Sequence, residues 1–422
     1  MKIKSHIFPF KSNFFKEQDP FHLVILFFII FFGTAIFFSI PTFYDYNKYK
    51  QQIEKTINNE FKIKMYNLEE ISFKFIPSPY LLIKKADFKI QDNEKNILSK
   101  LENIKVFISI VDLYKNENIK IKKIVVNKAN LYLDNLSLQN FIQNLKKNIV
   151  NNFIIKKSTL FFKDKNDEII IISKIKNFDY KIDFVNSKKI LSINGNIFDS
   201  DYNLKYMIDY NFPNIQNINL KLKNPNLIIE NKLTEDLYSD KFFKKGNLNI
   251  NFMNLKNVVN YEIKNNLINF INKNPKNSNF DLNGLINFDP FHFNLNIDLK
   301  KNNLSQLENL FYLVYKNKDL KYENLSGQIK INFNSIDNKL IKKGLFKLIF
   351  ENSKLYSQEE MFYLRDFATV EIKDYEYLDD INQVLKMKIK INILDTRKFN
   401  RFLFNSNRDK IVSKNLFFLY EY

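Results

Sequence analysis

The sequence contains no cysteine and no tryptophan, only six glycines, three histidines and very little arginine. Without cysteine there are no disulfides, no thiolate metal sites and no cysteine nucleophile. Six glycines in 422 residues leave no room for glycine-rich phosphate loops or glycine-dense repeats. Nucleophile elbows, Walker loops and dinucleotide fingerprints are all missing. His6 and His22 lie before or within the first apolar run, and His292 alternates out between Phe291 and Phe293. A single strand histidine cannot assemble a metal cluster. Asp366, Glu371, Asp374, Glu376, Asp379 and Asp380 form an acidic group without the spacing of an acid–base pair. No catalytic residue, metal site or cofactor is expected.

Charge is abundant but one-sided, with a net +19. Such a balance invites a nucleic-acid or anionic-membrane partner. Yet lysine supplies nearly all of it, scattered singly along the strands. Lys, Asn, Ile, Phe and Tyr all have A/T-rich codons, so a low-GC genome accounts for the bias. Phosphate recognition favours arginine forks, which are lacking here. A solvated basic surface is expected, and no nucleic-acid partner.

One long apolar run is present. Phe21 to Ile40 carries no formal charge. As a helix it would span roughly 30 Å, the thickness of a bilayer's hydrocarbon core. It exceeds a usual signal-peptide core, follows a twenty-residue leader and lacks a small-x-small cleavage pattern before Pro41. The reading is an uncleaved transmembrane anchor at 21–40 behind a cytoplasmic leader at 1–20.

After Pro41, Tyr46, Tyr49, Ile53 and Ile57 recur at helical spacing, with Asp45 as a candidate N-cap. The period then becomes two. Ile71, Phe73 and Phe75 form a strand that stops at Pro77-Ser78-Pro79. Strands follow at Tyr80–Ile90, Leu101–Ile110, Ile119–Val126 and Ala129–Leu133, then a helix carrying Leu138, Phe141, Ile142 and Leu145. This unit covers 41–150. From 151 to 422 the alternation is nearly unbroken: Phe291, Phe293, Leu295, Ile297 and Leu299 against His292, Asn294, Asn296 and Asp298 are typical. Further helices are expected at Leu255–Ile271 and Leu304–Tyr315. Asn-rich linkers predict antiparallel meanders. Roughly sixteen strands at about 4.8 Å each give a sheet on the order of 80 Å.

The expected fold is mainly β: the anchor, then an elongated, curved antiparallel sheet with a few short helices. Its apolar face either meets itself in a closed sandwich or lines an open groove, and periodicity serves both. In a groove the lining candidates are Phe73, Phe75, Phe291, Phe293, Leu295, Ile297, Ile329, Ile331, Phe333, Ile389 and Ile391.

The region from the anchor to about Asn135 resembles the AsmA family of bacterial envelope proteins. The resemblance lies in the helix Phe21–Ile40 with its Pro41 exit, in Tyr49, Ile53 and Ile57, in Phe75-Ile76-Pro77-Ser78-Pro79, and in the strands after Tyr80. It implies an inner-membrane anchor with a periplasmic β-rich body. It further implies a part in outer-membrane biogenesis, by carrying phospholipid or by influencing assembly of outer-membrane proteins. The expected partners are the membrane, phospholipid and envelope proteins.

Overall fold

The computed structural model describes residues 20–61, 64–76, 78–89, 99–109, 121–147, 152–164, 166–197, 200–223, 226–235, 243–252, 255–271, 280–300, 302–303, 325–337, 339–351, 354–379, 384–404 and 414–421. The leader at 1–19, Pro77 and the helix expected at Leu304–Tyr315 lie outside these residues.

The chain opens with helix α1 (Pro20–Ser39). Its side chains from Val24 to Phe32 are all exposed. Thr34 Oγ1 donates back to the Ile30 carbonyl at 2.8 Å. Among the described residues no helix is long and apolar enough to cross a membrane. The side chains of 20–23, 35 and 38, which belong to α1, are outside that description. Two short 3-10 turns, Ile40–Phe43 and Tyr46–Tyr49, lead to α2 (Lys50–Phe61). Asp45 caps the second turn, accepting from the Asn47 amide at 3.1 Å. The buried stripe is Tyr46, Ile53, Ile57 and Phe61, whereas Tyr49 is exposed. The turn before Lys50 breaks the helical phase, so the inward tyrosine is the earlier one.

Strands β1 (Lys64–Lys74), β2 (Tyr80–Lys89), β3 (Ser99–Ile108), β4 (Ile121–Asn127) and β5 (Ala129–Leu133) precede helix α3 (Asn135–Lys147). Then come β6 (Asn152–Lys163), β7 (Ile169–Asp183), β8 (Lys188–Ile197), β9 (Ser200–Asp209), β10 (Ile215–Leu222) and β11 (Leu227–Glu235). These are followed by β12 (Phe243–Phe252), β13 (Leu255–Lys264), β14 (Leu267–Ile271), β15 (Phe280–Phe288) and β16 (Phe291–Leu299). The last part holds β17 (Asn302–Asn303), β18 (Gly327–Phe333), β19 (Ile336–Asp337), β20 (Ile341–Glu351), β21 (Lys354–Leu364), β22 (Ala368–Asp379) and β23 (Val384–Ile393). Helix α4 (Thr396–Phe404) and β24 (Asn415–Glu421) complete it.

Twenty-two strands form one sheet, and β17 pairs separately with β19. Strand pairing follows chain order from β1 to β24. β4 and β5 share one line between β3 and β6, bent at Lys128. At about 4.8 Å per step the sheet runs on the order of 95 Å, longer than the alternation alone suggested. It also passes through the boundary expected near residue 150.

The sheet is mixed, where a purely antiparallel one was expected. β6 runs parallel to β4 and β5, and β18 parallel to β16. Parallel neighbours need a long return path. Here α3 and the connection 300–326 supply it. A second correction concerns Leu255–Ile271, expected as a helix. It is the hairpin β13–β14, turning at Asn265, whose φ is 53°. Val258, Val259 and Ile263 are β-branched and suit a strand, and an asparagine accepts the left-handed turn.

The glycines are part of the packing. Gly195, Gly246, Gly284, Gly327 and Gly344 each stand directly opposite an aromatic residue: Tyr202, Tyr261, Phe270, Phe293 and Phe362. At Gly246 an added Cβ would enter the Tyr261 ring. The ring lies over the bare backbone and replaces the missing side chain. Gly284 has φ +138°, and a Cβ added there would run into the Asn294 carbonyl. Gly284→Ala is expected to cost about 2 kcal/mol, read as a lower urea midpoint with unchanged slope.

Candidate functional site

The sheet has one apolar face, and its rows can be followed strand by strand. One row starts Phe73–Leu81–Val106–Ile124–Phe153 across β1, β2, β3, β4 and β6. It continues Tyr180–Leu191–Tyr206–Ile218–Asn231–Leu248–Val259 to β13. A neighbouring row runs Lys189–Ile208–Gln216–Leu233–Gly246–Tyr261, then Phe270–Gly284–Leu295–Ile329–Leu348 to β20. A third carries the face on through Leu299–Phe333–Gly344–Phe362–Val370–Ile391 to β23. Because partners stand directly opposite, these rows run across the strands, along the sheet's long axis.

Burial divides this face. Over β1–β9 it is sealed, with Tyr180, Leu191, Tyr206 and Ile208 in the same core as β1–β6. Ile57 and Ile124 are both 0% exposed, and Phe61 reaches the Phe153 ring at 6.5 Å between centroids. The Asn58 side chain ties α2 to the edge strand, accepting from the Met65 amide at 2.8 Å and donating to its carbonyl at 3.2 Å. Glu60 accepts from the Ile121 amide at 2.9 Å. α3 adds Phe141 and Ile142 to the same core. From β10 on the face changes: Ile218, Leu248, Ile268, Leu295 and Ile329 are only half-buried, among buried neighbours such as Leu233, Tyr261 and Phe293. The second cluster draws its described side chains from β11–β22, from Leu325 just before β18, and from Ile170 of β7, with Phe162 of β6 and Ile171 of β7 packed against it.

The lining candidates fall accordingly. Phe73 is buried in the sealed part, its ring stacked 6.3 Å from Tyr46. Phe75 is half-buried beside it. Phe293, Ile331 and Phe333 are buried in the second cluster, with Phe291, Leu295, Ile297 and Ile329 half-buried against it. The structure brings these seven together, with Leu295 opposite Ile329 and Ile297 opposite Ile331. Ile389 and Ile391 lie apart on β23, opposite Ile372 and Val370, and both are half-buried. The other face is polar. His292 is exposed, its Nδ1 3.4 Å from Ser326 Oγ. Asn332 donates to Asp298 at 2.5 Å.

Of the acidic group, Asp366 pairs with Lys398, whose hydrogen bond holds the carboxyl below its ordinary range. Glu371 accepts from Asn392 at 3.1 Å. The side chains of Asp374, Glu376, Asp379 and Asp380 lie outside the described residues. Among the described residues no group of His, Asp or Glu could hold a metal ion.

Alternation missed a polar island on the apolar face at β7–β10. Tyr206 donates to Gln216 Oε1 at 2.7 Å. Lys189, 4% exposed, sits with its Nζ 5.3 Å from the Tyr210 ring centre. Burial pushes the Lys189 ammonium below its ordinary pKa and the Tyr180, Tyr206 and Tyr210 phenols above theirs. The signal was available, since Lys189 stands in phase with Leu191 and Ile193. Matched against family models, curated proteins and solved structures, the chain finds no counterpart in any of the three.

Proposed function

We propose that this chain is an AsmA-like, non-catalytic carrier that moves phospholipid along the apolar face of its sheet. In this reading α1 anchors it in a bacterial inner membrane. The β body stands in the periplasm and serves outer-membrane biogenesis. The observation that carries the reading is the registered row through Phe270, Leu295, Ile329 and Leu348, apolar yet left half-buried at its centre. An acyl chain laid along such a row gains about 0.8 kcal/mol per methylene buried. No single position dominates, so the chain can be held and still slide. The exposed apolar surface of α1 supports the anchor.

Mild detergent extraction followed by mass spectrometry tests the proposal. Phospholipid is expected to co-purify, and a photo-crosslinker at Leu295 is expected to label it. Lipid-free spectra, with Leu295 crosslinked only to the protein itself, would remove the carrier.

A second reading, a scaffold for envelope proteins, draws on the far edge. Among the described residues β24 pairs only with β23 and exposes Phe417 and Phe418. Such an edge can receive a partner's strand. In that case crosslinks from Phe417 would capture another protein.

A further inference from the structure

We propose that the turns at one rim of the sheet rest in the surface of the bilayer that holds α1, with Phe184, Val185 and Phe212 inserted among the headgroups and upper acyl chains. The inference rests on α1 as a membrane anchor and adds how the β body sits against that membrane.

The register decides which turns share this rim. Lys74 stands opposite Tyr80, Tyr80 opposite Phe107, Ile108 opposite Ile121, Lys123 opposite Asn152 and Phe153 opposite Tyr180. Asp183 then stands opposite Lys188, and Lys188 opposite Asp209. The β1–β2, β7–β8 and β9–β10 turns therefore lie on the same side. The chain from α1 meets that side first. Asn47 accepts from the Ile71 amide at 3.2 Å, toward the end of β1, before Asn58 reaches Met65 at its start.

Turn tips are ordinarily polar or glycine. Here Phe184 is 76% exposed, Val185 93% and Phe212 60%. Ile76 in the β1–β2 turn and Phe43 just after α1 are exposed on the same side. Hydrogen bonds hold the tips in place. Asp183 accepts from the Asn186 amide at 3.0 Å and from its side chain at 2.8 Å. Asp209 accepts from the Asn211 amide at 2.8 Å. The Tyr210 amide donates to the Ser187 carbonyl at 3.0 Å and sets the two turns side by side. Apolar side chains grouped and held out in water mark a contact surface.

Charge and position say what covers it. Residues 184–187 and 210–214 carry no charged side chain, in a chain of net charge +19. They can leave water without burying an ion. On the opposite rim the β6–β7 turn carries Asp164, Asp167 and Glu168, with Asp167 3.9 Å from Lys163 Nζ. The uncharged rim is the one α1 joins, and exposed rings beside an anchor suit the zone where headgroups meet acyl chains. Phe212 also leads into β10, where the apolar face stops being sealed. Docking at these tips brings the start of the half-buried row to the bilayer.

The chain has no cysteine, so one introduced cysteine carries one label. Full-length protein is labelled with a polarity-sensitive fluorophore at Val185→Cys, at Ile29→Cys in α1, or at Asn166→Cys on the opposite rim. Each is reconstituted in phosphatidylethanolamine–phosphatidylglycerol vesicles with and without a spin-labelled lipid. The spin label is expected to quench the fluorophores at Ile29 and Val185 and to spare the one at Asn166. Phe184→Ser with Phe212→Ser is expected to shift the Val185 label toward water roughly tenfold, the size of partly burying two rings. The thermal midpoint should not fall, because both rings already face water.

An unquenched label at Ile29 would remove the anchor, and this proposal with it. A quenched label at Ile29 with an unquenched one at Val185 overturns the docking and leaves the anchor standing. A Val185 label shielded from aqueous iodide yet untouched by the lipid quencher would give the tips to a protein, another chain or a second copy, and overturn it as well. Equal quenching at Asn166, or quenching at Val185 that survives the serine pair, would do the same.

Discussion

Two aspartates in the middle of the apolar row, Leu295→Asp with Ile329→Asp, will strip the protein of co-purifying phospholipid, lowering the bound amount by roughly a hundredfold. The two residues are direct partners across the parallel seam of β16 and β18, and both are half-buried. In the empty protein each carboxylate can still reach water. An acyl chain laid over them would take that water away, and an unpaired charge loses several kcal/mol in such surroundings. The penalty therefore falls on the loaded state more than on the fold. A control lies one residue along each strand. Asn296 and Lys330 are also direct partners, but on the polar face. Asn296→Asp with Lys330→Asp changes the charge beside the same seam and should leave the lipid in place. Urea midpoints of both variants separate lost binding from lost structure. Lipid retained by the row variant, or lost equally by the control, would sink the carrier.

How far the sequence led is clearest at that seam. Phe291, Phe293, Leu295 and Ile297 alternate with polar residues, and period two alone assigns them to one face. The parallel pairing to Ile329 and Ile331 was invisible, because strand direction is decided by the connection 300–326 and not by the strands it joins. The same holds at β6, where α3 reverses the local rule. Tyr46 and Tyr49 were both read inward from helical spacing, but the turn before Lys50 breaks the phase and leaves Tyr49 exposed while Tyr46 is buried. Residues 255–271 misled because Leu255, Val258, Val259 and Ile263 also fit a helical stripe; Asn265 and Asn266, which make the hairpin, were the contrary signal. Lys189 was hidden by company. In a chain so rich in outward lysines, one that falls on the inward phase does not stand out until its neighbours do.

Phe28→Lys with Phe32→Lys will release the protein from the membrane fraction. The two rings form a stacked pair one turn apart, 6.1 Å between centroids, and both are exposed. Two lysines at the centre of an inserted helix cost about 6 kcal/mol together, on the order of ten-thousandfold in partition. Membrane pellets washed in carbonate measure it. The unaltered protein should stay in the pellet and the double variant should leave it. A double variant that pellets as before would show that α1 is covered by something other than lipid. Position makes this helix more than a tether. Only the two short turns lie between α1 and α2; Pro41 and Tyr46 are buried there, and Tyr46 packs on Phe73 of β1. α1 is thereby joined to the β1 end of the sheet, the end that α2 seals. Acyl chains leaving a bilayer at α1 could not enter the face at Phe73. They would have to join it past β9, where Ile218, Leu248 and Leu295 are half-buried, because Tyr180, Leu191, Tyr206 and Ile208 still belong to the core that α2 seals.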